Sequence, residues 1–455
     1  MVTLKVLDVS ENEISNLEKI DFADLKNLKY LSLSGNAGIL SLFVPLHRLL
    51  CGKGKNIEHL DISYTDLSHI DDNAFVCDDN PVSHLRYIDI SHEEIRIEKN
   101  SFASLNQLEY LGSNDRLICC VYFIQFPYSR VTCDAPEDIF SSCSDLLSSV
   151  LLRVSLWLLC MTSLIGNTFV IIYRLVFEKR TSALGYHVFV MSLSVSDLLM
   201  GVYLVIIGSA DLSYRGQFLW QRWDWKSHPM CTLSGVVGLV SSEVSAFSIL
   251  LIMLDRLIAI KFPLHRHLHF TPSSALMVVA FSWLAGLILS FVPLMPFFSH
   301  WQFYQQNAIC LPLPITNKVF PGQNYTRSIF LILNFIIFML IALGQGVIYI
   351  SVQNSSRISS TVSTKDVAIA RRLFTVVFSD FCCWFPVGVM GLMANAGVPI
   401  PGEVNVWTAV FILPLNSALN PFLYTFSKWR QKREEIKNKR RYEAFVKRYK
   451  ALQRV

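Results

Sequence analysis

The sequence predicts two fold classes in one chain: an N-terminal α/β solenoid of leucine-rich repeats, followed by a membrane all-α bundle of seven transmembrane helices. Three observations predict this. A leucine pattern returns at near-constant intervals over residues 1–112. Seven apolar stretches fill residues 149–426, each about 20 residues or more, enough to cross roughly 30 Å of hydrocarbon. The 455 residues are 52% hydrophobic with a mean hydropathy of +0.40, too apolar for an ordinary soluble protein.

Leu4-x-x-Leu7-x-Val9-x-x-Asn12 returns as Leu28-x-x-Leu31-x-Leu33-x-x-Asn36. It returns in weaker form as Ile57-x-x-Leu60-x-Ile62 and Leu85-x-x-Ile88-x-Ile90, with a partial copy at Leu108-x-x-Leu111. The intervals fall within the roughly 20–29-residue period of leucine-rich repeats. Each copy supplies a short strand with its leucines inward, and the asparagine closes the turn by bonding backbone. A single copy cannot bury its own apolar face, but stacked copies can. Residues alternating with the leucines face the concave surface. One column there reads Asp8, Ser32, Asp61, Asp89, and its neighbour reads Ser10, Ser34, Ser63, Ser91. Asp8, Asp61 and Asp89 are therefore candidate ligand contacts, against the plainer reading that L-D-L-S is common filler of this repeat.

Over 113–148 the pattern stops and cysteines concentrate, as expected of a hinge that caps the last repeat and leads into the first span. Cys119, Cys120, Cys133 and Cys143 can pair in three ways, and spacing does not choose among them. A zinc reading lacks a C-x-x-C pair. Met1 runs straight into a repeat, with no basic region, apolar core or small-residue cleavage site of an export signal. The expectation is a piece of a longer chain, the alternative being export by the first apolar helix.

Spans are expected near 149–174, 184–210, 232–260, 274–298, 327–352, 371–396 and 404–426. Lys/Arg follow spans one (Arg174, Lys179, Arg180), three (Lys261, Arg266) and five (Arg357, Lys365), and the tail 427–455 holds 12 Lys/Arg against 3 Glu. Those sides are cytoplasmic by the positive-inside rule, which puts the repeats outside the plasma membrane. Residues 1–145 carry 23 Asp/Glu against 12 Lys/Arg, so the overall charge of +5 conceals an acidic outer part, suited to a basic partner, and a basic remainder suited to anionic lipid. Asn324-Tyr325-Thr326 is a glycosylation acceptor expected on an outer loop. Cys231 at the outer start of span three and Cys310 in the loop after span four are expected to join, pinning that loop over the bundle mouth.

Ionisable groups inside the spans carry the functional argument, because hydrocarbon tolerates them only along a protein interior or a water pocket. Asp197 in mid-span two needs a cation or several donors. Ser245, Asn416 and Asn420 fall at matching depth and would supply hard oxygen ligands for a small monovalent ion; the rival reading is a hydrogen-bonded clasp between helices. Asp380 in span six is expected to bond Asn420 as a latch. Glu243 has no expected partner. At the inner end of span three Asp255 stands beside Arg256, and Asp366 offers Arg256 a second carboxylate across to span six, a bistable pair. Pro386, following Trp384, kinks span six.

Taken together these residues resemble rhodopsin-like (class A) G-protein-coupled receptors: Gly166-Asn167, Asp197, Asp255-Arg256, Trp283, Cys383-Trp384-Phe385-Pro386 and Asn420-Pro421-Phe422-Leu423-Tyr424. The repeats with a cysteine hinge, and Asp380 in Phe378-Ser379-Asp380-Phe381, resemble the leucine-rich-repeat receptors for large hormones. Leu151-Leu152-Arg153-Val154-Ser155-Leu156-Trp157 and Ser242-Glu243-Val244-Ser245 are most similar to relaxin-family peptide receptors and their invertebrate relatives. The resemblance implies that an extracellular peptide or protein hormone docks on the repeats and a heterotrimeric G protein answers inside, linked to cyclic AMP. It implies that Arg256, Tyr349 and Tyr424 rearrange at the G-protein face. Asp366 would restrain Arg256, and Asp197, Ser245 and Asn416 would hold sodium, with no other cofactor. The chain departs from the pattern at Leu257, where an aromatic is usual, and its tail has no cysteine for palmitoylation.

An enzyme is not expected, since HExxH, GxSxG and phosphate-loop motifs are lacking, and no nucleic-acid partner is expected. His265-Arg266-His267-Leu268-His269 reads as a solvated inner loop. The remaining rivals are a glycoprotein-hormone-type receptor and an adhesion or scaffold protein with a silent bundle. The second gives no reason for Asp197, Asp380 and Asn420.

Overall fold

The computed structural model describes residues 3–14, 25, 27–36, 50, 57–65, 67–72, 74–77, 80–81, 84–91, 95–135, 142–177, 184–313, 321–358, 379, 382–398, 404, 407–423 and 441. The chain forms two compact units, Met1–Ser148 with Tyr214–Asp224, and Ser149–Ser213 with Trp225–Val455.

The strands of the first unit are β1 (Val6–Asp8), β2 (Tyr30–Ser32), β3 (His59–Asp61), β4 (His69–Ile70), β5 (Val76–Cys77), β6 (Asn80–Pro81), β7 (Tyr87–Asp89), β8 (Arg96–Ile97), β9 (Tyr110–Gly112) and β10 (Thr132–Asp134). Six of them build one parallel sheet in the order β1-β2-β3-β7-β9-β10, one strand per repeat. The middle residue of each strand points inward: Leu31, Leu60, Ile88 and Leu111 are all fully buried. Burying one such side chain contributes about 1.5–3 kcal/mol, and stacking makes the gain recur. Asn36 is buried and closes its turn as the pattern requires. Its amide donates to the Val9 and Leu33 carbonyls, each at 2.9 Å, and its oxygen accepts from the Asn12 and Ile14 amides, each at 3.1 Å. One repeat later Thr65 holds that position with a single bond, to the Ile62 carbonyl at 2.6 Å.

The hinge differs from the expectation of a patternless cap. It contributes α1 (Arg116–Gln125) and the sixth strand of the main sheet, β10, paired in register with β9. Asp115 caps α1 by accepting from the Leu117 amide at 2.9 Å. Cys119 pairs with Cys133 on β10, and Cys120 with Cys143. Tyr214–Asp224, the stretch that follows span two, also belongs to this unit: Arg222 ion-pairs with Asp115, and the Phe218 amide donates to the Ser144 carbonyl at 3.1 Å.

The second unit contains α2 (Val150–Phe177), α3 (Leu184–Ser213), α5 (Pro229–Lys261), α6 (Pro272–Phe291), α7 (Gln323–Arg327), α8 (Asn334–Ile358), α9 (Cys382–Asn395) and α10 (Leu413–Pro421); α4 (Phe218–Ser227) lies between α3 and α5. Five helical segments among the described residues are long and apolar enough to cross a membrane, α7 and α8 counting as one. Parts of expected spans six and seven, including Asp380 and Tyr424, and the site of Asp366, lie outside the described residues.

Two boundaries shift for physical reasons. The fourth span stops at Phe291 rather than near 298, because Pro293 and Pro296 break the helix into 3-10 turns, Val292–Leu294 and Pro296–Trp301. The fifth begins at Gln323, so Asn324 is exposed on a helical turn instead of an open loop. A π-helical turn, Ser328–Leu333, joins α7 to α8. Gly166 is needed on α2: a Cβ there would stand 2.9 Å from the ring of Pro421 on α10.

Candidate functional site

Within the bundle the polar residues converge. Asp197 on α3 is fully buried and accepts from Ser245 on α5 at 3.1 Å and from the Asn420 amide on α10 at 2.8 Å. Ser163 on α2 donates to the Asp197 carbonyl at 2.7 Å, and Asn167 donates to the Ser417 carbonyl at 3.1 Å. Four helices therefore meet at Asp197, three of them on its carboxylate and α2 through its backbone carbonyl. Asn420 donates its amide to Asp197, and the expected bond between Asn420 and Asp380 falls outside the described residues. The side-chain oxygens of Asn416 and Asn420 are buried with no hydrogen-bond partner among the described residues. Asn416 and Ser245 line a small cavity, about 20 Å³, that also touches Tyr203, Ser242, Leu311 and Trp384.

Above this, Cys231 and Cys310 are bonded as expected, and the loop carrying Cys310 is fixed further. Tyr203 donates to the Ile309 carbonyl at 3.0 Å, Trp225 to Ala308 at 2.8 Å, and Tyr304 to Ser290 at 2.7 Å. Burial pushes the Tyr304 hydroxyl above the usual phenol range, so it stays a donor. Glu243, which had no expected partner, accepts from Asn334 at 3.1 Å, directly after the π turn. One oxygen of each residue has no partner among the described residues. Near the start of the first span and the end of the second, Arg153 and Asp211 form an ion pair at 2.8 Å, with side chains 11% and 2% exposed.

At the end of α5 opposite Cys231, Asp255 accepts from Arg256 at 2.8 Å. The Arg256 guanidinium lies over the ring of Tyr186, 4.2 Å from its centroid, and Arg174 lies over the same ring at 5.4 Å. One tyrosine thus faces two arginines from different helices. Tyr349, by contrast, is 56% exposed, its hydroxyl accepting from Gln353 at 2.6 Å. Trp384 and Pro386 are half-buried on α9. Trp283 donates to Ser192 at 3.1 Å, and Ser192 bonds Ser248 at 3.0 Å, which ties α6, α3 and α5.

On the concave face of the repeats Asp8, Asp61 and Asp89 do line up, joined by Asp134 on β10. Each of the three first serves its own chain: Asp8 accepts from the Ser10 amide at 3.0 Å, Asp61 from Ser63 at 3.1 Å and Asp89 from Ser91 at 2.9 Å. Those donors hold the Asp8 carboxyl below the usual carboxylate range. Beside them runs a column that the sequence reading missed. Tyr30, His59, Tyr87 and Tyr110 stack ring on ring, with centroids 4.3, 3.7 and 4.3 Å apart and successive planes within 26° of parallel. The available signal was their recurrence two residues before the Asp/Ser column. Desolvation in the stack pushes His59 below the usual imidazole range, against the pull of Asp61 and Asp89.

A family model described as 7 transmembrane receptor (rhodopsin family) matches residues 166–424, and one for leucine-rich repeats matches residues 1–37. The chain is 37% identical over 327 residues to the G-protein coupled receptor GRL101 of Lymnaea stagnalis, covering 72% of this chain and 29% of that protein. It is 33% identical over 318 residues to relaxin receptor 1 of Homo sapiens, covering 68% and 41%. Against the follicle-stimulating hormone receptor of Felis catus it is 26% identical over 435 residues, covering 92% and 58%. The chain therefore spans less than two thirds of the length of each of these relatives.

Proposed function

The chain belongs to the rhodopsin family of seven-transmembrane receptors, and from that premise we propose that it is a plasma-membrane receptor coupled to a heterotrimeric G protein. Its leucine-rich repeats take an extracellular peptide or protein hormone of the relaxin type, and its response runs through cyclic AMP. The observation that carries this reading is the four-helix cluster on Asp197. A bundle serving only as an anchor gains nothing from a buried carboxylate, whereas a switch needs buried polar groups with more than one way to pair. The Asp255–Arg256 pair lies at the inner end of the same helix, α5, that supplies Ser245. Tyr186 holds Arg256 in the resting arrangement, and its release frees the guanidinium for a cytoplasmic partner.

On the outer face the ligand meets Asp8, Asp61 and Asp89 beside the ring stack. Carboxylates flanking aromatic faces suit guanidinium or ammonium groups, through ion pairing and cation–π attraction together. Because Tyr214–Asp224 folds with the repeats and is continuous in sequence with spans two and three, hormone binding has a covalent route into both helices. Asn324 is exposed and takes a glycan, and the N-terminus is extracellular.

Asp197, Ser245, Asn416 and Asn420 would hold sodium. The fit rests on two buried amide oxygens without a partner among the described residues and on an all-oxygen, singly charged donor set. Bound sodium supplies a compensating charge to Asp197 in the resting state. Raising sodium is expected to weaken hormone binding, and Asn416→Ala to abolish that dependence.

A second reading, a receptor for a larger glycoprotein hormone, is favoured by one observation: the follicle-stimulating hormone receptor aligns over 92% of this chain, the repeats included. The deciding experiment reconstitutes the protein in lipid and measures nucleotide exchange on purified heterotrimers, with relaxin-like peptides or glycoprotein hormones added. Acceleration by either assigns the hormone class. Surface binding without acceleration on any heterotrimer removes the signalling proposal.

A further inference from the structure

On the return side of the repeats, away from the concave face, three metal-ligating side chains converge, and we propose that His69, Asp71 and Glu98 form a zinc site stapling two successive repeats. β4 and β8 pair in parallel with His69 opposite Arg96 and Ile70 opposite Ile97. Side chains alternate along a strand, so His69 and Asp71 share one face while Ile70 between them is buried. Glu98 follows one step later, its amide on the Ile70 carbonyl at 3.2 Å, which brings its carboxylate to the same face. The His69 Nε2 lies 3.2 Å from Asp71 Oδ1 and 3.5 Å from Glu98 Oε1, and the three donor atoms fall within 4.8 Å of one another.

Two arguments separate a metal site from a simple ion pair. First, both carboxylates converge on one ring nitrogen, which has a single proton or a single lone pair to offer. A hydrogen bond from the ring serves one oxygen at a time and leaves the other to solvent, whereas a cation at the common point serves all three. Second, the spacing fits. Bonds of about 2.0–2.1 Å around a tetrahedral ion set neighbouring ligand atoms about 3.3 Å apart, and the two measured separations bracket that edge. Octahedral magnesium would want about 2.9 Å, and calcium rejects imidazole. The Glu98 carboxylate is already oriented, because its other oxygen accepts from the Asp72 amide at 3.1 Å. Asp72 in turn holds Asn100 by its backbone amide at 2.6 Å and its side-chain amide at 3.2 Å. Such outer partners commonly fix metal ligands. Arg96 is exposed and long enough to turn its charge toward solvent. Three protein ligands leave the fourth tetrahedral position to water.

The test uses the full chain in detergent. Cobalt(II) is expected to give the visible absorption of a tetrahedral site at one equivalent, displaced by zinc. His69→Asn and Glu98→Gln are each expected to weaken zinc at least tenfold, while unfolding in a chelator stays as in the parent chain. The variant-free measurement is mass-spectrometric footprinting with diethylpyrocarbonate, in which one equivalent of zinc protects His69 ahead of the other histidines. An octahedral cobalt spectrum, zinc affinity unchanged in both variants, or no preferential protection of His69 each overturns the site. None of these outcomes depends on the hormone or on G-protein coupling.

Discussion

The repeats and the helical bundle bury polar side chains by opposite means. In the repeats Asn36 spends its whole side chain on backbone of its own and the preceding repeat, and the rings from Tyr30 to Tyr110 each take the same neighbour one strand along. In the bundle the bonds between helices are one-off pairs, and acceptors on Glu243, Asn334, Asn416 and Asn420 are left over among the described residues. Pairings repeated strand after strand make a scaffold, even though His59 Nδ1 is likewise buried without a partner among the described residues. Partners drawn from different helices, with several acceptors left over, leave a second arrangement available, and the expectation is that the bundle moves while the repeats hold.

The comparison breaks most sharply at Arg153. Its replacement by Met removes the guanidinium from a buried Asp211 and is expected to cost about 3–5 kcal/mol, read as earlier thermal inactivation of the solubilised protein. Adding Asp211→Leu should recover most of the loss; equal losses in the single and double variants would mean the pair is not a desolvated one-off. Next comes Asn36→Ala in the scaffold, expected to cost about 2–3 kcal/mol because several buried backbone groups lose their partner. Hydrogen exchange should then rise at Asn12 and Ile14, in the neighbouring repeat.

Tyr186→Leu keeps bulk but removes the ring face from Arg256, an effect of about 1 kcal/mol. Hormone-independent nucleotide exchange should rise roughly fivefold, by the corresponding shift of the resting equilibrium. An unchanged basal rate would return Tyr186 to the scaffold class. His59 gives a smaller, pH-dependent effect. Its folded pKa lies below the unfolded value of about 6.5, so the unfolded chain binds the proton more readily. The stack's contribution is therefore complete above that pH and is lost as the pH falls below it. Thermal scans of the parent chain and of His59→Gln between neutral and mildly acidic pH should diverge on the acid side. Smallest of all, Lys29→Ala removes an ion pair whose side chains are 52% and 43% exposed, and should leave stability unchanged within error.

The repeat period and the burial of Asp197 were legible because each violates an expectation that physics makes strict: leucines at a fixed interval, and a carboxylate in an apolar run. Ser245, Asn416 and Asn420 were expected at its depth as ligands of an ion, and the hydrogen bonds that Ser245 and Asn420 make to Asp197 are those of the rival clasp. Tyr186 was not legible, because an aromatic residue at a helix end reads as packing until an arginine is seen over it. The hinge disulfides were open by combinatorics. The Arg222–Asp115 pair spans 107 residues of sequence and leaves no local mark. Span four was drawn too long because its hydropathy continues past Phe291 although Pro293 and Pro296 end the helix.

Cys119 and Cys120 are consecutive, yet each is tied to a different downstream cysteine. Any nick between residues 121 and 132 falls inside both loops at once. A protease could therefore cut this stretch and shed nothing: the severed halves would travel together until a reductant cleaved two separate bonds. The repeat unit is fastened with a spare rivet, and fragments would part only on a reducing gel.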